Sequence, residues 1–221
     1  MASIRMTGRA VLFDLDDTLT DAAVFGASVL ADAVQAHGRA LAIEVIQQYP
    51  GAPYVPLLQD LLQLAPREAE AIYATYVHRY RESMPGGLRE TAGASALLRA
   101  LAARDVRLAL VTNKLEHLAR EILAMFGWTP LFSAVVGQDS CEFTKPHPGI
   151  VLHALRALDG RPDAAVFVGD TPSDMRCARD AGVVTIVGLL STTEGAALTA
   201  AGATHLCAGL GEVLGVLDRA S

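Results

Sequence analysis

A chain of 221 residues with a net charge of -6 and 52% hydrophobic residues has room for one large domain, or for one domain carrying a smaller insertion, and enough apolar side chain to bury a sizeable core. Its acidity provides no basic footprint for a nucleic acid or an anionic membrane, so a small soluble partner is expected, with no nucleic acid and no membrane.

Taken from the N-terminus, the first apolar run, Val11 to Phe13 in RAVLFDLDDTLTD, stops abruptly at Asp14, and Asp16, Asp17 and Asp21 follow. From about Asp21 to Met84 there is no strand pattern, only apolar residues at helical spacing in VFGASVLADAVQAHG, VPLLQDLLQL and PREAEAIYATYVHRYRES. Pro66 and Glu68 suit the first turn of the last of these. YPGAPYVP, Tyr49 to Pro56, reads as a turn-rich connector, and MPGG, Met84 to Gly87, as the end of the segment. RLALVTN, SAVVGQD, AAVFVGD and VVTIVG then alternate with helix-length stretches. Continuous Val/Leu/Ile runs suit parallel strands covered on both faces, so the rhythm predicts an α/β fold, a doubly wound Rossmann-like parallel sheet. Residues 1–20 and 85–221 are expected to form this α/β domain, and residues 21–84 an inserted helical domain. Cys141, Cys177 and Cys207 are odd in number, far apart and in no CxxC pattern, which argues against a disulfide framework or a zinc site. No run reaches the length of a membrane span and no long apolar leader precedes the first acidic cluster, so the expected location is cytoplasmic.

Four runs end on Asp14, Thr112, Asp139 and Asp170, and in such sheets the ligand crevice lies beyond the carboxyl ends of the strands. Asp14 and Asp16 can both face that crevice only if the backbone leaves the extended form. Carboxylates packed so closely repel one another unless a cation is present, and Mg2+ suits a few carboxylates with water and phosphate oxygens. An ionised Asp14 can then attack phosphorus while a protonated Asp16 supplies a proton to the leaving oxygen. The same aspartates would also serve as turn or helix caps. Thr112 and the backbone N–H of Asn113 offer donors to a phosphoryl oxygen, although Thr and Asn also cap helices. Lys145, in FTKPHP, is one of only two lysines, with Lys114, among sixteen arginines, which favours a role for each. In GDTPSD, Asp170 and Asp174 either both face an ion, or the second holds the lysine.

Together these residues resemble the haloacid dehalogenase superfamily of phosphohydrolases, whose four motifs run DxDx[TV], a strand-terminal Ser or Thr, a Lys, and GDxxxD. Here they read DLDDT, VTN, TKP and GDTPSD, in that order. The inserted helices fall where that family carries an α-helical cap, and the YPGAP turn is similar to the cap loop of the phosphoglycolate phosphatase-like branch. The resemblance implies that Asp14 becomes a transient aspartyl phosphate. Asp16 would protonate the leaving alcohol and then activate water, while Thr112 and Lys145 would bind the phosphoryl group. It also implies Mg2+ held by Asp14, the Asp16 backbone carbonyl and Asp170, with Asp174 reaching the ion through water or orienting Lys145. The implied function is hydrolysis of a small phosphomonoester such as phosphoglycolate or a sugar phosphate, with specificity set by the cap. The branch commonly has Gly where this chain has Asp17.

Within the same fold, Asp16 argues against a dehalogenase. The absence of lysine from 21–84 argues against a phosphonatase, which needs a Schiff base. A β-phosphoglucomutase-like phosphomutase usually has a histidine early in the first cap helix, and none precedes His37. A phospho-acceptor signalling domain that holds rather than hydrolyses an aspartyl phosphate is the reading from another class. Trp128 is expected to pack a helix end, Tyr73, Tyr76 and Tyr80 to be packing or surface residues, and His147 and His153 to lie on the helix after Lys145 without binding zinc. Asp14 is expected to be an exposed crevice carboxylate, and the chain to be a monomer or homodimer.

Overall fold

The computed structural model describes residues 9–219, so the first eight and last two residues of the expected α/β domain lie outside the described residues. The chain divides into two compact units, one formed by residues 9–20 with 90–219 and the other by Asp21–Arg89.

The first unit is built on β1 (Ala10–Phe13). Its chain passes through a short β2 (Thr20–Asp21), leaves for the other unit and returns in β3 (Arg89–Glu90), which pairs with β2. It continues as α5 (Ala94–Ala102), β4 (Arg107–Val111), α6 (Glu116–Met125), β5 (Ala134–Val136), α7 (Gly149–Ala157), β6 (Ala165–Gly169), α8 (Pro172–Asp180), β7 (Thr185–Leu189), α9 (Gly195–Ala201), β8 (His205–Cys207) and α10 (Val213–Arg219). The main sheet has six parallel strands in the order β5-β4-β1-β6-β7-β8. Every residue of β1 and β6 is buried, as continuous apolar runs require. Strands β4 and β5 extend the sheet to one side of β1 and β6 to β8 to the other, so the strand order reverses beside β1. That reversal opens a crevice at the carboxyl ends of β1, β4 and β6. Under it pack Leu12, Val111, Ile150, Phe167 and Met175, all buried. Trp128 is fully buried and its Nε1–H donates to Ser95 Oγ at 2.9 Å, as a buried indole requires.

The runs that predict strands become β1, β4, β5, β6 and β7. β8 was not anticipated: three residues, HLC, of which Leu206 is exposed, carry little periodic signal. The third run is shorter than expected, because β5 ends at Val136. Asp139 therefore belongs to the following turn, where its carboxylate accepts the Glu116 N–H at 2.7 Å at the start of α6. It caps a helix instead of joining the crevice.

The second unit consists of α1 (Ala23–Ala36), α2 (Ile43–Ile46), α3 (Tyr54–Leu62) and α4 (Pro66–Gly87). Helix α3 starts inside the expected connector, and α4 continues through MPGG. The last residue of α4, Gly87, lies close against α1, where a Cβ would come 2.4 Å from the Phe25 ring. Tyr76 and Tyr80, buried on one face of α4, form the aromatic core of this unit. Tyr80 meets Phe25 edge-on at 4.9 Å, and Tyr76 meets Tyr54 at 5.0 Å. Among the described residues no helix is long and apolar enough to cross a membrane.

Candidate active site

The polypeptide leaves β1 through a tight loop. Asp14 N–H still donates to Val168 O of β6 at 3.0 Å, continuing the ladder. The chain then folds back, with Leu15 O accepting from Leu19 N–H and Thr20 N–H, and Thr20 O accepting from Asp17 N–H. Asp17 takes φ 60°, the left-handed conformation that Gly adopts most readily and Asp tolerates. The expected departure from extended backbone is thus centred on Asp17.

Three carboxylates meet at the strand ends. Asp14 follows β1, Asp170 follows β6 and Asp174 lies in the first turn of α8, and one oxygen from each lies within 4.8 Å of the others. Asp14 is 4% exposed, not an exposed crevice carboxylate, because Lys145 reaches under it: the Lys145 Nζ donates to Asp14 Oδ1 at 2.6 Å and to Asp174 Oδ1 at 2.7 Å. Thr171 N–H and Oγ1–H both donate to the other Asp174 oxygen, at 3.0 and 2.6 Å, and Asp174 N–H returns a bond to Thr171 Oγ1. This capping box fixes the fourth-motif aspartate before any ligand arrives. Asp174 fits against the strand end only because residue 169 is Gly; a Cβ there would lie 2.7 Å from both Asp174 Cβ and Cγ.

Asp170 accepts from two hydroxyls, Thr18 Oγ1 at 3.0 Å and Thr192 Oγ1 at 2.5 Å. Neither threonine was assigned a role from sequence. Thr18 sits inside the first motif, which was a usable signal. Thr192, from the loop after β7, had none, because only the fold brings it near Asp170.

Thr112 is buried at the end of β4, and its Oγ1 accepts Lys114 N–H at 3.1 Å. The Asn113 side chain is spent on Lys145: its Oδ1 accepts Lys145 N–H at 2.9 Å and its Nδ2–H donates to Lys145 O at 3.2 Å. The second motif thus clamps the backbone that carries the third. The Asp16 carboxylate stands apart from the acidic trio, with its Oδ2 3.0 Å from Lys114 Nζ. This partner of Lys114 lies 98 positions away in the chain and leaves no local signal in the sequence. His147 lies in the turn before α7, not on it, stacked on Phe143 with ring centroids 4.2 Å apart; His153 is on α7.

The electrostatics show what such a cluster demands. Burial pushes Asp14 well above the ordinary carboxylate range, against the pull of Lys145, and Asp174 and Asp170 push it further. Burial, then Asp174, raise Asp170 to about 7, with Thr192 and Thr18 acting the other way. Burial by itself would lower Lys145, but the carboxylates of Asp14 and Asp174 outweigh it and keep the ammonium charged. One ammonium therefore pairs with two of the three buried carboxylates, and Asp170 has only hydroxyl partners among the described residues. Oxygen donors at this density suit a hard dication, whose charge would let all three ionise together.

Comparison with known proteins agrees with this geometry. The family model for haloacid dehalogenase-like hydrolases matches residues 11–187, and the chain belongs to that family. It is 33% identical over 184 residues to a phosphoglycolate phosphatase of Xylella fastidiosa, covering 82% of this chain and 80% of that one. With a phosphoglycolate phosphatase of Rhodobacter capsulatus the identity is 34%, covering 80% and 83%. Among solved structures, a hydrolase from Pseudomonas syringae superposes with a TM-score of 0.81 at 24% identity, over 95% of this chain and 98% of that one. A haloacid dehalogenase-like hydrolase from Streptococcus pneumoniae gives 0.80 at 22%, over 94% and 97%. These two likenesses speak for the fold.

Proposed function

We propose that this haloacid dehalogenase-type phosphatase hydrolyses a small phosphomonoester, phosphoglycolate before sugar phosphates, through an aspartyl phosphate on Asp14. The observation that carries the reading is Asp14 itself, at the sheet's reversal point, with Lys145 on one oxygen and Asp170 and Asp174 beside it. The substrate preference rests on the phosphoglycolate phosphatases to which the chain is similar.

Mg2+ would be held by the Asp14 and Asp170 carboxylates and the Asp16 backbone carbonyl, with Asp174 as an outer partner. When bound, it supplies charge neutralisation for two anions brought together. In the first step a carboxylate oxygen of Asp14 bonds to phosphorus while the bond to the ester oxygen breaks; that oxygen keeps the electron pair, takes the Asp16 proton and leaves as an alcohol. In the second step water, losing a proton to Asp16, bonds to phosphorus, and the bond to Asp14 breaks with its electron pair returning to the carboxylate. Thr112 and the backbone N–H of Asn113 hydrogen-bond the phosphoryl oxygens, and Lys145 offsets their charge. Positioning and charge account for most of the acceleration in phosphoryl transfer. The proposed setting is the cytoplasm.

The test is inorganic phosphate release from a panel of phosphomonoesters including phosphoglycolate and sugar phosphates, with Mg2+ and with chelator. Metal-dependent release with phosphoglycolate preferred supports the reading, and a folded protein that releases none sinks it.

A further inference from the structure

Both lysines of the chain are buried, yet only Lys145 has a part in the steps above. Lys114, 8% exposed, points its Nζ at Asp16 Oδ2, 3.0 Å away. The base of its side chain is anchored on both sides. Lys114 N–H donates to Thr112 Oγ1 at 3.1 Å, and Lys114 O accepts Gln138 N–H at 3.0 Å. Residue 137 must be Gly for this approach, because a Cβ there would lie 2.7 Å from Lys114 O and 2.4 Å from Glu116 N. The other carboxylate oxygen, Asp16 Oδ1, is buried and has no hydrogen-bond partner among the described residues.

A purely structural ion pair fits this arrangement poorly. A chain with sixteen arginines and two lysines has the better residue for static pairing in abundance, since a guanidinium binds a carboxylate through two fixed donors. An ammonium is a point charge that holds one oxygen and leaves the carboxylate free to turn. Leaving Oδ1 buried without a partner has a cost that a structural site would avoid by filling it.

We propose that Lys114 is a positioning residue for the general acid and base: it holds Asp16 by Oδ2 and leaves Oδ1 as the oxygen that a turn of the carboxylate about this anchor brings to the ester oxygen of the substrate. This inference rests on the phosphatase reading. As the bond between phosphorus and the ester oxygen breaks, that oxygen receives the Oδ1 proton and leaves as an alcohol, and the carboxylate left behind is stabilised by the neighbouring ammonium. Water later returns a proton to the same oxygen while its own oxygen bonds to phosphorus and Asp14 is released.

Two esters separate this role from others. An alkyl ester such as phosphoglycolate needs a proton on its leaving oxygen, whereas p-nitrophenolate leaves without one. The readout is kcat/KM, which ends at leaving-group departure and so excludes the shared hydrolysis of the aspartyl phosphate. In Lys114→Met the ratio of kcat/KM for phosphoglycolate to that for p-nitrophenyl phosphate should fall about 100-fold, the usual scale of general acid catalysis. Lys114→Arg keeps the charge, but its two fixed donors would occupy both Asp16 oxygens, so it should not restore the ratio. Equal losses on both esters would overturn the inference, because a phosphate contact or a damaged fold acts on both alike, and so would a Lys114→Met enzyme with unchanged rates. A wild-type protein that releases phosphate from neither ester would overturn the phosphatase reading, and this inference with it.

Discussion

The Lys145 ammonium touches the Asp14 carboxylate at 2.6 Å, joining residues 131 positions apart in the chain, and the same nitrogen donates to Asp174 at 2.7 Å. One cation therefore ties the end of β1 to the start of α8. The consequence for stability is asymmetric. Lys145→Met leaves two buried carboxylates with no cation and should cost about 3 kcal/mol or more. Asp14→Asn leaves Asp174 on the ammonium and relieves repulsion, so it should cost no more than about 1 kcal/mol while abolishing turnover. Urea unfolding of both variants checks the ranking; an Asp14→Asn protein less stable than Lys145→Met would contradict it.

Asp170 gives a pH signature. Its folded-state value near 7 lies above the ordinary 3.8, so between those values the folded protein holds a proton that the unfolded chain has lost. In chelator, stability should decline as pH rises from about 4 to about 7. A bound dication competes with that proton, so the rise in Tm caused by Mg2+ should be larger near pH 8 than near pH 5. Thermal unfolding at both pH values, with Mg2+ and with chelator, decides. A Mg2+ effect that is larger at the lower pH would argue that Asp170 does not take part in metal binding.

Two glycines should respond oppositely to the same substitution. Gly169→Ala drives a methyl into Asp174, whose side chain is already fixed by Lys145 and Thr171, and should cost about 1–3 kcal/mol and most of the activity. Gly86 lies in α4 with nothing near its Cβ position, so Gly86→Ala should stabilise by up to about 1 kcal/mol. Chemical denaturation of the pair tests whether close approach, and not glycine content, explains the fourth motif.

Asp17→Gly should also stabilise. The residue sits at φ 60°, and glycine relieves about 1 kcal/mol of left-handed strain at most, since Asp tolerates that region better than other residues. It also removes a carboxylate that pushes Asp170 upward. Asp17→Val should lower Tm. A Tm that falls in Asp17→Gly and rises in Asp17→Val would show that the side chain, not the backbone, sets this loop.

Much of the α/β unit could be read in advance because buried parallel strands such as AVLF and AVFVG are unbroken apolar runs whose ends are marked by Asp14 and Gly169. The acidic trio was legible for the same reason: its members stand next to those ends. The burial of Asp14 was not, since nothing local shows that Lys145 folds beneath it. The pairing of Lys114 with Asp16, and the threonine pair on Asp170, depend on which loops the strand order sets side by side. The end of α4 was harder to read, because Pro85 and two glycines signal a break, yet the helix runs through Pro85 to Gly87.

The most direct measurement is mass analysis of the peptide containing Asp14 after rapid acid quenching of the protein during turnover of phosphoglycolate with Mg2+. The expected result is a fraction of that peptide heavier by one phosphoryl group, absent in Asp14→Asn. Phosphate release at full rate in the wild type with the label on another residue, or release that persists in Asp14→Asn, would contradict the assignment of Asp14 as the nucleophile.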